Sequence, residues 1–194
     1  FSDEVEVGID GFSWLNDLAI VNNETSRELS QTWIDTFPLD RLNKNVQSSC
    51  SRLAAIVRNF LYLEIGSDRD HLNKVNEILK NDYLFLNFYK NFSFNILERL
   101  CIYHSLVLSG YAFNLTKKKQ KKFIRYMIKL FILYKNRLKK GQIRSPEELS
   151  KVFFLLLETI EIATKLEGNK PSSEEKNLRK ISYFFGSSLR YLQF

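Results

Sequence analysis

Glycine and proline are scarce, seven and three among 194 residues. A sheet protein must turn about every eight to twelve residues and draws on both types to do so, so this shortage excludes an all-β chain and leaves long helices. Two cysteines, Cys50 and Cys101, are too few for a disulfide framework, which points to a reducing, intracellular setting. Long hydrophobic runs are missing as well. The longest, VFFLLL at 152–157, falls far short of the roughly 20 residues that cross a bilayer, so no membrane partner is expected. No signal peptide is visible, and because the chain begins at Phe1 rather than Met, its natural start is expected to be missing. No Ser-His-Asp pattern, Gly-rich phosphate loop or carboxylate pair spaced about an apolar pocket occurs, so the chain gives no positive sign of an enzyme and none of a cofactor. Sequons at Asn23, Asn91 and Asn114 read as chance, since a glycan has no room in the aromatic surroundings of the second.

What is present is a soluble globular composition, 44% hydrophobic and 14% aromatic, enough for one helical domain over residues 1–194. Charge is polarised along it. Residues 1–46 carry nine acids against three bases, and residues 117–151 carry thirteen bases against two acids. Such polarity can serve an acidic partner, a nucleic acid or the chain's own acidic segment.

Apolar spacings of three and four divide the chain into helices. Residues 1–10, FSDEVEVGID, read as an acidic arm. Helices are predicted over 12–22, over 26–37 with Ser26 as N-cap, over 43–65 with Gly66 as the stop, and over about 70–80. An apolar helix over about 94–113, capped by Ser93, is expected at the centre of the fold. A basic amphipathic helix over 117–140 ends at Gly141, and the next starts with Ser145 as N-cap, Pro146 as its first residue and Glu147 and Glu148 in its first turn. The loop 167–175 leads into a last helix that reaches about Leu192. The fold class is therefore all-α, a single bundle of about seven to nine helices.

Three places invite chemistry or binding. Cys101 and His104 lie three apart on one helix, near enough to ligate one zinc, but a site needs four ligands and only Cys50 and His71 remain. Both read as core, with a half-site completed by a partner as the alternative. In TKKKQKKFIRYMIK at 116–129, Lys117, Lys118, Lys119, Lys121, Lys122 and Arg125 form a patch for nucleic acid or for an acidic partner, with a solvated helix face as the plainer reading. The stretch NDYLFLNFYKNFSFN at 81–95 concentrates aromatic residues, of which Phe85, Phe88 and Phe92 are expected on a buried helix face, leaving Tyr83 and Tyr89 for binding. DGFSWLNDLAIV at 10–21 offers Trp14 and Leu18 as anchors in a groove, and Phe123, Met127 and Tyr134 form the apolar face of the basic helix, which completes the set of candidate partner-binding residues.

The segment from Lys74 to Tyr103, with Val75, Ile78, Leu79, Phe85, Phe88, Tyr89, FSFN at 92–95, Leu97, Glu98 and Leu100, resembles the signature near the end of the telomere-repeat-factor homology domain, and IVRNFLYLEIG at 56–66 is loosely similar to an earlier helix of it. That all-helical domain dimerises and docks short partner peptides in shelterin, and its Phe-Ser-aromatic corner closes one helix on the next. No Myb-type DNA-binding segment lies in this chain. The resemblance therefore implies a nuclear, homodimeric bridging subunit of a telomere complex, working through helical grooves. The runner-up is a basic helical nucleic-acid-binding domain that uses the 117–140 helix.

Overall fold

The computed structural model describes residues 11–36, 45–64, 67–93, 95–113, 115–143, 145–167 and 171–192; the acidic arm at 1–10 and Phe94 lie outside them. The described residues are all-α, and no strand occurs among them. The sequence reading treats the chain as one helical domain, whereas backbone packing divides it into two compact units, Phe1–Asn91 and Phe92–Phe194. The division falls inside the aromatic stretch.

The first unit holds α1 (Ser13–Val21), α2 (Asn23–Thr36), α3 (Val46–Arg58), the single turn-and-a-half α4 (Phe60–Glu64) and α5 (Arg69–Tyr89). Asn22, not Ser26, caps α2, because its Oδ1 accepts the amides of Glu24 and Thr25 at 3.0 and 3.1 Å, while Ser26 is buried one turn inside. Asn45 caps α3 by accepting the Gln47 amide at 2.8 Å. The helix expected over 43–65 breaks at Asn59. Its side chain donates back to Ala55 O and across to Asn16 Oδ1, which ties the break to α1. Asp68 caps α5, and the aromatic stretch begins inside that long helix, which runs on to Tyr89.

Leu53, Ile56, Leu63, Val75, Ile78, Leu79 and Leu86 form the core of this unit. Within it lies a buried ion pair: the Arg52 guanidinium of α3 grips the Asp82 carboxylate of α5 with Nε–Oδ2 at 2.8 Å and Nη2–Oδ1 at 2.7 Å. His71 is also buried, and neither ring nitrogen has a hydrogen-bond partner. Burial holds the imidazole below the ordinary value of 6.5; Asp35 and Asp68 pull it up and Lys74 pushes it down. The unfolded chain therefore binds the proton first, so His71 adds stability above pH 6.5 that is lost as pH falls below it. His71→Leu is expected to flatten the loss of thermal midpoint between pH 7 and about 5.5, ahead of carboxylate titration. Parallel pH profiles for the variant and the parent would refute this.

The second unit holds α6 (Ile96–Ala112), α7 (Lys117–Lys139), α8 (Pro146–Glu167) and α9 (Ser173–Leu192). As the all-round apolar pattern requires, α6 is enclosed, with Leu100, Ile102, Leu106 and Val107 fully buried between α7 and α8, while α9 packs on α8 and α7. Its cap is Asn95, whose Oδ1 accepts the Leu97 amide at 2.9 Å; Ser93 instead donates to Glu98. The α6–α7 hairpin is closed by Gln120, whose Nε2 donates to Gly110 O at 3.1 Å and to Leu115 O at 2.8 Å. A Cβ at position 110 would stand 2.8 Å from Gln120 Cδ, so any residue but glycine there must displace the Gln120 side chain.

Helix α7 ends as its sequence predicts. Gly141 takes φ 67°, its amide donates to Leu138 O, and the Gln142 amide donates to Arg137 O, the two bonds of a Schellman motif. Ser145 Oγ then accepts the Glu148 amide at 3.2 Å and Pro146 opens α8.

Candidate functional site

A bulky residue at positive φ starts the site. Phe12 precedes α1 at φ 54°, a left-handed conformation unfavourable for a side chain of this size, and its ring is fully buried. The ring lies 4.6 Å from the Trp33 ring in an edge-on contact and 5.3 Å from Trp14. Phe12 thus sits under both tryptophans and fixes their spacing. Helix α2 contributes Leu29, Thr32, Trp33 and Thr36, at i, i+3, i+4 and i+7, and α1 contributes Trp14 and Leu18 one turn apart. Together these six residues line an almost wholly apolar cleft of about 480 Å³.

The cleft is open to solvent along one side. Leu29 remains 46% exposed, although a leucine on an amphipathic helix is ordinarily covered. Asp17 of α1 and Glu24 and Glu28 of α2 are exposed, Asp17 and Glu28 next in sequence to the lining residues Leu18 and Leu29, and Asp35 pairs with Lys74. The two helices together carry four acids, and Arg27 is the lone cation on them.

Of the residues singled out from sequence, Trp14 and Leu18 are brought together here. Tyr83 is buried at 9% exposure, and Tyr89 is half-buried, stacked on Phe85 with ring centroids 5.7 Å apart. The expected division of the aromatic stretch is corrected. Helix α5 buries the face of Val75, Ile78, Leu79, Tyr83 and Leu86, so Phe88 points outward at 66% exposure; the helix stops at Tyr89, and Phe92, beyond it, is 54% exposed. Phe123, Met127 and Tyr134 are also corrected. They are buried in the second unit against α6, α8 and α9 and offer no surface to a partner. Burial, with the Glu148 carboxylate beside it, pushes the Tyr134 hydroxyl well above its usual range.

On the outer side of α7, Lys117, Lys118, Lys119, Lys122 and Arg125 are exposed and Lys121 is half-buried. Arg125 Nε donates to Glu174 Oε1 at 2.8 Å, and that guanidinium holds the Glu174 carboxyl below its usual range. At the other candidate, His104 Nε2 stands 3.0 Å from Glu158 Oε2, and burial pushes the Cys101 thiol up, against the thiolate that zinc requires. Among the described residues no group of three or more His, Cys, Asp or Glu side chains is gathered as for a metal ion. Nor, among them, is any helix long and apolar enough to cross a membrane.

Sequence reasoning reached Trp14 and Leu18 but missed Leu29, Thr32, Trp33 and Thr36. Their signal was present as the i, i+3, i+4, i+7 row, but two threonines in it hide its apolar character. The chain matches no family model, no curated protein and no solved structure.

Proposed function

We propose that this protein is a non-enzymatic interaction module whose first unit seats an amphipathic partner helix in the α1–α2 cleft, with its apolar side inward and basic side chains along the rim. One observation carries the reading: both of the chain's tryptophans, with Leu18 and Leu29, line an open apolar cleft of about 480 Å³. Helix-in-groove docking uses such a surface, and tryptophan is among the residues that dominate binding energy. Asp17 and Glu28, next in sequence to the lining residues Leu18 and Leu29, supply the charge that selects Lys and Arg flanking the partner's anchors. The packing of Phe12 fits the same purpose, since its ring contacts with Trp14 and Trp33 hold the cleft floor in place, left-handed backbone included, before a partner arrives.

The finer reading, a homodimeric bridging subunit of a nuclear telomere complex, rests on the resemblance of residues 74–103 and the looser one at 56–66. Light scattering that gave a strict monomer at micromolar concentration would remove the dimer.

Because Trp14 and Trp33 are the only tryptophans, intrinsic fluorescence reads the cleft directly. A helical peptide with Leu at i, i+4 and i+7 and Lys on its other face is expected to give a saturable blue shift. Leu29→Asp, at an exposed position, should weaken it at least tenfold, about 1.4 kcal/mol. A twin peptide with Glu for Lys should also bind at least tenfold more weakly at low salt. No shift with either peptide, or unchanged binding by Leu29→Asp, would overturn the proposal.

A further inference from the structure

The charge of the chain divides where its packing divides. Up to Asn91 there are nine Lys and Arg against fourteen Asp and Glu; from Phe92 onward there are twenty against eight. The excess is concentrated in one element. Across its 23 residues α7 carries ten Lys and Arg and no Asp or Glu. Three lysines occupy its first turn, where the helix end is already positive, and Lys118–Lys122, Lys121–Arg125, Arg125–Lys129 and Lys135–Lys139 set like charges four residues apart. Both arrangements oppose the helix. Its neighbours are built differently: Lys165 of α8 pairs with Glu161 at 2.6 Å and Arg179 of α9 with Glu175 at 2.8 Å, each within its own helix.

The inner face of α7, from Gln120 through Phe123, Met127 and Phe131 to Tyr134, is consumed by the core of the second unit. On the opposite side Lys118, Lys122, Arg125 and Lys129 recur at spacings of four, three and four and are all exposed; Arg125 is already paired with Glu174 of α9, which leaves the three lysines to carry the charge of the line. At about 1.5 Å per residue they form one cationic line about 16 Å long. Beside it Tyr126 is 38% exposed, stacked on Tyr103 with centroids 5.3 Å apart and with Lys129 Nζ 5.6 Å from its ring centre.

We propose that the second unit binds a single nucleic-acid strand along this line, gripping its phosphates with Lys118, Lys122 and Lys129 and meeting a base at Tyr126. A protein helix rich in Asp and Glu would need an apolar seam to lie on, and between Lys118 and Lys129 only Tyr126 interrupts the outer line of cations. A membrane surface would need apolar side chains to insert along the line, and Ile132 and Leu133 stand only beyond its C-terminal end. A chain of phosphates needs neither. Binding of this kind is independent of sequence and led by charge, with aromatic contact added. It draws on nothing in α1 or α2, so it stands or falls apart from the peptide cleft.

The test is fluorescence anisotropy of the full chain with a labelled 20-nucleotide poly(U) strand. Three neutralised phosphates predict a log–log salt slope near −2, so affinity should fall about 20-fold between 50 and 200 mM KCl. The triple variant Lys118→Ala, Lys122→Ala, Lys129→Ala should lose about two units of that slope and at least tenfold in affinity at 50 mM KCl. Its three positions are exposed, and its thermal midpoint, measured alongside, should equal or exceed the parent's because like charges have been removed. A second triple variant, Lys165→Ala, Lys176→Ala, Lys180→Ala, removes equal charge elsewhere and should retain the full slope. Three outcomes would overturn the proposal: no binding at 20 mM KCl, equal losses in the two triple variants, or displacement of the strand by a poly-Glu peptide at equal charge concentration.

Discussion

Asp82→Ala is expected to destabilise the first unit by about 3–5 kcal/mol, the cost of leaving a buried charge without its partner. Arg52 is 1% exposed and Asp82 is 5% exposed, so the guanidinium is left without its counterion in a site shielded from bulk solvent. Burial pushes the Asp82 carboxyl up, and the two guanidinium hydrogen bonds oppose it, as does the hydroxyl of Ser49. Such a loss is a large share of the roughly 5–15 kcal/mol that holds a domain folded. Trp14 and Trp33 both lie in this unit, so urea unfolding followed by tryptophan fluorescence measures the effect. The pair differs from an apolar contact in one respect that the experiment can exploit. Replacing both partners, Arg52→Met with Asp82→Leu, removes two desolvation costs together and should recover most of what the single change loses. A single-variant loss below about 1 kcal/mol, typical of a surface pair, would contradict the buried-pair account. So would a double variant no better than the single one.

Much of this fold was legible because helices announce themselves locally. The Schellman end at Gly141, the Ser145–Pro146 restart and the enclosed α6 all follow from short-range rules: a glycine that tolerates positive φ, a proline that needs no amide partner, and apolar side chains on every face. Caps proved harder. Asn22 displaced Ser26 and Asn95 displaced Ser93, because several short polar residues sit near each helix start and only the backbone geometry decides which one reaches the free amides. The cleft was half legible. Its floor depends on Phe12 adopting a left-handed backbone, and nothing local favours that in phenylalanine; the packing of its ring against Trp14 and Trp33 holds it there. The Arg52–Asp82 pair is 30 residues apart in sequence, beyond the reach of any periodicity. As for α7, its amphipathicity identified a helix and its two faces but could not say which face meets a partner. Phe123, Met127 and Tyr134 turned inward, and the charged side alone is left outside.

That orientation makes the inner face of α7 the place where the second unit is most easily broken. Phe131→Ala removes a fully buried ring and should cost about 3–5 kcal/mol, through lost transfer energy and the cavity left behind. The helix has little to offset the loss. With ten cations and no acids it repels itself along its length, and its N-terminal lysines oppose the helix dipole, so packing against α6, α8 and α9 must supply what electrostatics withholds. Leu133→Ala, two residues on but 49% exposed, should stay within about 0.5 kcal/mol of the parent. Hydrogen exchange of the α7 amides reads the difference: protection should collapse in Phe131→Ala and persist in Leu133→Ala. Salt supplies a second check on the same reasoning. If self-repulsion is the burden that packing carries, raising KCl to about 0.5 M shortens the screening length to roughly 4 Å and should return part of the protection lost in Phe131→Ala. Equal protection in the two variants would place Phe131 outside the core, and a salt response of opposite sign would show that the cations of α7 are not a burden on its stability.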